Sequence, residues 1–183
     1  MMNHRQITKL LFALSFIIFV SCQEEAVSTE PSVDQDDVAA AEALMADFLE
    51  ENGLKEEAAA RGANAYALTI LACGDDNNLY YYTAPSGMQG YELLNEETVT
   101  ASVEGGGYIF WYGAYNIKFL RGIEFDANSQ DILGNIPDSW KNSKLWYVQI
   151  PEVSDATLKY DIIYQTRKGS GPERLDPKIK VVQ

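Results

Sequence analysis

Carboxylates are the only side chains here numerous enough for proton-transfer chemistry. Of 183 residues, 27 are Asp or Glu and 14 are Lys or Arg, against one histidine, His4, and two cysteines, Cys22 and Cys73. A glycosidase works with two opposed acids about 5–10 Å apart across a cleft. Glu104, Glu124, Asp126 and Asp131 lie near expected strand ends and are candidates for such a pair, but no motif selects two of them. Gly74-Asp75-Asp76-Asn77-Asn78 offers oxygen ligands for Ca²⁺ without the spaced acids and terminal Glu of the helix-loop-helix site. His4 falls in an N-terminal leader, and beyond it the chain has no histidine. That leaves no Ser-His-Asp triad, no Cys-His pair and no histidine-based metal centre. Gly105-Gly106-Gly107 lacks the Lys and the helix of a phosphate loop and reads as a turn. The expectation is a non-enzymatic protein with no cofactor and no bound metal.

What the chain has in excess is aromatic surface: eleven Tyr, seven Phe and three Trp. Tyr and Trp join flat apolar area to a polar edge, which suits protein interfaces and sugar stacking. Within Tyr80-Tyr81-Tyr82, strand alternation puts Tyr80 and Tyr82 on one face and Tyr81 on the other, so one set is expected to be exposed. Tyr80, Tyr82, Tyr108, Tyr112 and Trp140 are taken as the candidate ligand- or partner-binding residues. The competing reading is that such rings fill a sandwich core and its rims. A protein partner, including a second copy of the chain, is the leading expectation. A carbohydrate-binding role is the alternative, and a carboxylate glycosidase the third.

These residues have to be positioned by strands. Gly107 to Phe119, GYIFWYGAYNIKF, is the densest apolar stretch, with Ile109, Trp111, Tyr115 and Ile117 on one side and Phe110 and Tyr112 on the other. A half-exposed strand needs one apolar set only, so this one is expected at the centre of a sandwich, with its second face covered or engaged by a partner. Tyr66–Cys73, Leu79–Thr83, a short edge strand at Tyr91–Leu94, Thr98–Val103, Phe119–Phe125, Ser143–Ile150, Thr157–Gln165 and Lys178–Val182 read as further strands. In Thr98–Val103, Val99 and Val103 with Ala101 are expected to face the core. Asp126–Ser139 reads as a crossing loop with a helical turn near Ile132-Leu133. The fold class expected is all-β, an immunoglobulin-like β-sandwich of seven or eight strands over 63–183, preceded by a helical segment at 36–62.

That helical segment carries Val38, Ala41, Met45, Phe48 and Leu49 on one stripe, with Asp36 or Asp37 as its cap and Asn52-Gly53 as its end. It either lies on the sheet as a layer or stands as a stalk for a partner. Leu54–Arg61 adds another turn or two of helix, closed by Gly62.

Arg5 and Lys9 precede the apolar run Leu10–Val20, and Phe-Val-Ser-Cys follows at 19–22. Basic residues, about ten apolar residues and a small residue before the cut mark an export signal at 1–21, too short for a confident span. The Phe-Val-Ser-Cys run resembles the lipobox of bacterial lipoproteins, with Phe19 where that family usually has Leu. The resemblance implies that Cys22 is lipidated, the acyl chains anchoring the protein in the outer membrane on its periplasmic or cell-surface side. Gln23-Glu24-Glu25 is similar to the acidic surface-export tags of some lipoproteins. Residues 22–35 then form a polar tether. Acylation of Cys22 leaves no intrachain disulfide, and Cys73, within the apolar ALTILAC, is expected in the core. Without 1–21 the chain carries 12 basic against 27 acidic residues, a formal −15, a field that repels nucleic acid.

Toward the C-terminus, Leu158-Lys159-Tyr160-Asp161-Ile162-Ile163-Tyr164 and then Asp176-Pro177-Lys178-Ile179-Lys180-Val181 resemble the closing hairpin of small bacterial immunoglobulin-like or cupredoxin-like sandwiches. The resemblance implies architecture and no activity. A cupredoxin copper site needs histidine, which the mature chain lacks.

Overall fold

The computed structural model describes residues 31–182 apart from 63, 85–87, 89, 143, 154 and 170. The leader, Cys22 and most of the 22–35 tether lie outside the described residues. Helix α1 (Gln35–Glu51) buries Ala41, Met45, Phe48 and Leu49. Its cap is Asp34, whose Oδ1 accepts from the Asp36 N–H at 2.9 Å, and not Asp36 or Asp37 as the sequence suggests. Those two acids instead occupy the first turn, facing the positive end of the helix dipole. Gly53, at φ 68°, turns the chain into the short α2 (Lys55–Arg61).

Eleven strands follow among the described residues, eight of them five residues or longer. They are β1 (Tyr66–Cys73), β2 (Leu79–Ala84), β3 (Glu92–Leu93), β4 (Val99–Glu104), β5 (Tyr108–Gly113) and β6 (Ile117–Phe125). After the short helix α3 (Ala127–Leu133) come β7 (Asp138–Ser139), β8 (Leu145–Gln149), β9 (Thr157–Thr166), β10 (Glu173–Leu175) and β11 (Lys178–Val182). One sheet has the order β3-β2-β1-β5-β8-β7; the other has β10-β9-β11-β4, with β6 along the opposite edge of β9. Each sheet holds one parallel pair, β1 with β5 and β4 with β11. The protein is mostly β, and its two mixed sheets stack as a β-sandwich.

Two apolar layers result. Between the sheets lie Leu71, Ile109, Trp111, Val148, Leu158, Tyr160, Ile162, Ile179 and Val181. On the outer face of the first sheet, Leu68, Ile70, Phe110, Tyr112 and Leu145 pack against α1. Strand β5 therefore feeds both layers by simple alternation: Ile109 and Trp111 inward, Phe110 and Tyr112 outward. Of the two readings open for the helical segment, the structure adopts the layer on the sheet.

Two further local expectations are overturned. Gly107 to Phe119 is not one strand, since the chain leaves β5 at Gly113 and turns through Ala114–Asn116 into β6 of the other sheet. Asn116 takes φ 58°, Cys73 N–H donates to Tyr115 O at 3.0 Å, and the Tyr115 side chain is 43% exposed. Val99 does not face the core either; it is 45% exposed. A register shift against β11 sets Val99 and Ala101 opposite consecutive residues, Lys178 and Ile179, so Thr100 is skipped and buried. Its hydroxyl meets the Tyr160 hydroxyl at 2.7 Å. The irregularity thus swaps an apolar contact for a buried hydroxyl pair, which alternation alone does not foresee.

Trp111 packs against Tyr160, ring centroids 5.4 Å apart, and against Phe125 at 6.3 Å. Trp111→Ala is expected to lose about 3–5 kcal/mol of unfolding free energy in urea. A loss below about 1 kcal/mol would contradict its place in the core.

Candidate partner-binding surface

The five aromatic residues singled out in the sequence all belong to one surface. Tyr80 and Tyr82 stand on β2, Tyr108 and Tyr112 on β5, and Trp140 opens the 3₁₀ turn Trp140–Asn142 before β8. All five pack in the outer layer, on the face that α1 crosses. Tyr81 points the other way, into the space between the sheets.

Their exposure is uneven. Tyr80 and Tyr112 are only 4% and 6% exposed, whereas Tyr82, Tyr108 and Trp140 are half-buried around the helix. Neither set of the Tyr80–Tyr82 run is open to solvent as a whole. Tyr81 is covered by the second sheet and Tyr80 by the outer layer, where α1 lowers Phe48 onto the neighbouring strands. The Phe48 ring lies 5.7 Å from Tyr108, 5.3 Å from Phe110, 5.0 Å from Trp140 and 4.4 Å from Tyr147, centroid to centroid. The first three meet edge-on, the geometry the aromatic quadrupole favours. Phe48 and Tyr147, like Tyr66, Tyr91 and Phe110, belong to this layer and are not on the sequence reading's list of site residues. The signal for Phe48 was its place on the helical stripe; for Tyr147 it was alternation with Val148 along β8.

Polar groups flank the layer at both ends. Near the C-terminal end, Lys141 pairs with Glu51 of α1 while its ammonium sits 4.8 Å from the Trp140 ring centroid. Lys141 holds φ 49°, a left-handed conformation uncommon outside glycine. At the N-terminal end, burial raises the pKa of the Asp37 carboxyl, with Asp34 adding to the rise and Lys144, Arg167 and the Tyr115 backbone opposing it. Burial likewise lifts the phenols of Tyr91 and Tyr112, both of which feel the Asp37 charge. The Tyr80 hydroxyl donates to Asp76 Oδ2 at 2.8 Å, the main reason that carboxyl titrates below its usual range. What the surface presents to solvent is a rim of half-buried rings and the outer side of α1, with Glu42, Asp47 and Glu50 exposed.

The candidate acids are scattered. Glu104 accepts from Asn64 Nδ2 at 3.2 Å, and Asp126 caps α3 through the Ser129 N–H at 2.8 Å, its pKa lowered by Ser129. Asp131 is exposed on α3. Glu124 stands opposite Asp161 on β9, and Arg174 pairs with both. Burial raises the pKa of Asp161, with Arg174 working against it. In the turn after β1, Asp75 pairs with Lys168 at 2.9 Å and Asp76 accepts from the Asn78 N–H at 3.0 Å. Among the described residues no cluster of three or more His, Cys, Asp or Glu is arranged to hold a metal ion. Cys73 is buried, and desolvation, aided by Glu173, pushes its thiol up to about 11.

A carboxyl whose pKa is higher folded than unfolded binds its proton more readily in the fold. Its ionisation therefore costs stability, a penalty absent below the unfolded value and growing as pH rises through the folded one. Asp37→Asn should match the parent at about pH 3 and exceed it in urea midpoint at about pH 7. A variant less stable than the parent at neutral pH would show that the Asp37 charge supports the helix.

No protein-family model matches this chain, and no curated protein is significantly similar to it.

Proposed function

We propose that the protein is an envelope lipoprotein, held to the bacterial outer membrane by acyl chains on Cys22, whose immunoglobulin-like sandwich is a non-enzymatic binding module for a protein partner. The observation that carries this reading is the order of segments along the chain. In the sequence a leader-like run ends at a lipobox-like cysteine and a polar tether follows, and the first element among the described residues is the helix that covers the aromatic layer. A partner reaching this surface meets the α1 acids first and the edges of Tyr82, Tyr108 and Trp140 around them. The excess of 27 acidic over 14 basic residues favours a partner with a basic face. The half-buried rings supply the flat, amphipathic contact area from which interface centres are commonly built.

Two measurements test it. Cys22→Ser should move the protein from the membrane to the soluble fraction, and retention in the membrane would end the acyl-anchor reading. Asp47→Lys with Glu50→Lys should abolish salt-sensitive crosslinking to a partner in intact envelopes. Crosslinks that survive both charge reversals would move the binding surface elsewhere.

A further inference from the structure

The outer face of the second sheet differs in charge from the rest of the molecule. The apolar residues of α1 and α2 pack on the first sheet, and Leu133 of α3 packs between the sheets. Strand β9 buries one alternating set, which leaves Lys159, Asp161, Ile163 and Gln165 on the outer face. Residues opposite them share that face: Lys178 with Lys159, Glu124 with Asp161, Arg174 with Ile163 and Phe119 with Gln165. Lys180 stands on the same side of β11 as Lys178. Two register shifts leave Lys118 and Arg121 of β6 without ladder partners. Both cations turn over the exposed Phe119 ring, 5.2 and 4.4 Å from its centroid.

Six cations thus gather here, against four acids on the face or its rim, Glu97, Glu104, Glu124 and Asp161. Arg174 is matched by Glu124 and Asp161, and Lys178 by Glu97. Lys118, Arg121, Lys159 and Lys180 have no salt bridge among the described residues. The helical layer on the opposite side of the sandwich is the reverse. From Gln35 to Arg61 it carries eight acids and two bases, and α1 itself has six acids and no base. The two faces also match in length. Asp36 to Glu50 covers about 21 Å of helix, and Lys159 to Gln165 about 20 Å of strand. Between its acids α1 exposes Ala39, Ala43 and Ala46, small enough for a sheet to approach closely. The basic face that the α1 acids call for is therefore present on the chain itself.

We propose that the partner of the α1 face is a second copy of this chain, which lays the outer face of its second sheet over the helix. This rests on the reading of α1 as the binding surface and of Cys22 as the anchor, and it names the partner. Helix α1 is then packed between two sheets, its own first sheet and its neighbour's second. Copies stacked by translation repeat the contact head to tail. Translation leaves every N-terminus pointing the same way, as anchoring in one leaflet requires. Strongly acidic copies repel at a distance, so the contact depends on local opposition of charge and on the raised concentration that a shared membrane supplies.

The test places a photoreactive phenylalanine analogue at the exposed Ala43 of the full-length chain and irradiates intact envelopes. The main product should be a dimer of the chain, with the second copy labelled on β6, β9 or β11. Lys159→Glu with Lys180→Glu, both exposed, should lower its yield at least about tenfold, as should Asp47→Lys with Glu50→Lys. Co-expression of the two double variants, with the analogue in the chain bearing Lys159→Glu, should restore it. There the native acidic helix of one meets the native basic sheet of the other, and recovery also shows that both variants fold. A dimer unchanged in Lys159→Glu with Lys180→Glu, or one labelled helix to helix, would overturn the proposal. Crosslinks from Ala43 to a different protein, with no dimer, would also overturn it while leaving α1 as a partner-binding surface. No crosslink to any protein would remove both readings.

Discussion

The constraint on which everything else rests is that β5 is apolar on both faces. Fully burying a Trp, Phe or Ile side chain stabilises a fold by about 1.5–3 kcal/mol each, and β5 has such residues pointing both ways. A two-layer sandwich covers only one of its faces. The inner face is met by Leu158, Tyr160 and Ile162 of β9; the outer face, with Phe110 and Tyr112, needs something more. Helix α1 supplies it, so a domain that reads as all-β becomes a three-layer object. Phe48 is the residue through which that third layer grips.

The parallel pairing of β1 with β5 imposes a second requirement, because the chain has to travel between two strands running the same way. It does so through β2, β3 and β4, crossing to the second sheet and returning by the Gly105–Gly107 turn. Gly106 sits at φ 78°, and a Cβ on Gly107 would stand 2.6 Å from Ala65 O, so bulkier residues are excluded there by contact with backbone. Arg61, at the end of α2, donates to Gly105 O and pairs with Glu57. One turn thus joins the crossover, the start of β1 and the helical layer.

Hydroxyl groups, more than charges, hold the margin of the sandwich. Thr83, Thr100 and Tyr160 form a line from the margin into the core, at the place where β4 departs from regular alternation. Exposed ion pairs such as Lys168 with Asp75 contribute little by comparison, because water and salt screen them. The acids keep the surface negative, while these hydroxyls are satisfied by one another and by backbone.

The sequence by itself determined most of the strands and, along β9, the inward and outward sets. Leu158, Tyr160, Ile162 and Tyr164 on β9 are all buried, and so is the α1 stripe apart from the half-buried Val38. Burial follows period when each residue meets one neighbouring layer only. Tertiary structure alone decided three things. It decided that Tyr80, Tyr82, Tyr108, Tyr112 and Trp140 share a single face, because separate strands become neighbours only through pairing. It decided that α1 covers that face, because the stripe shows an apolar partner is needed and not which one. And it decided that Thr100 is buried while Val99 is exposed, since a register shift is set by the neighbouring strand and leaves no mark on the strand that bears it.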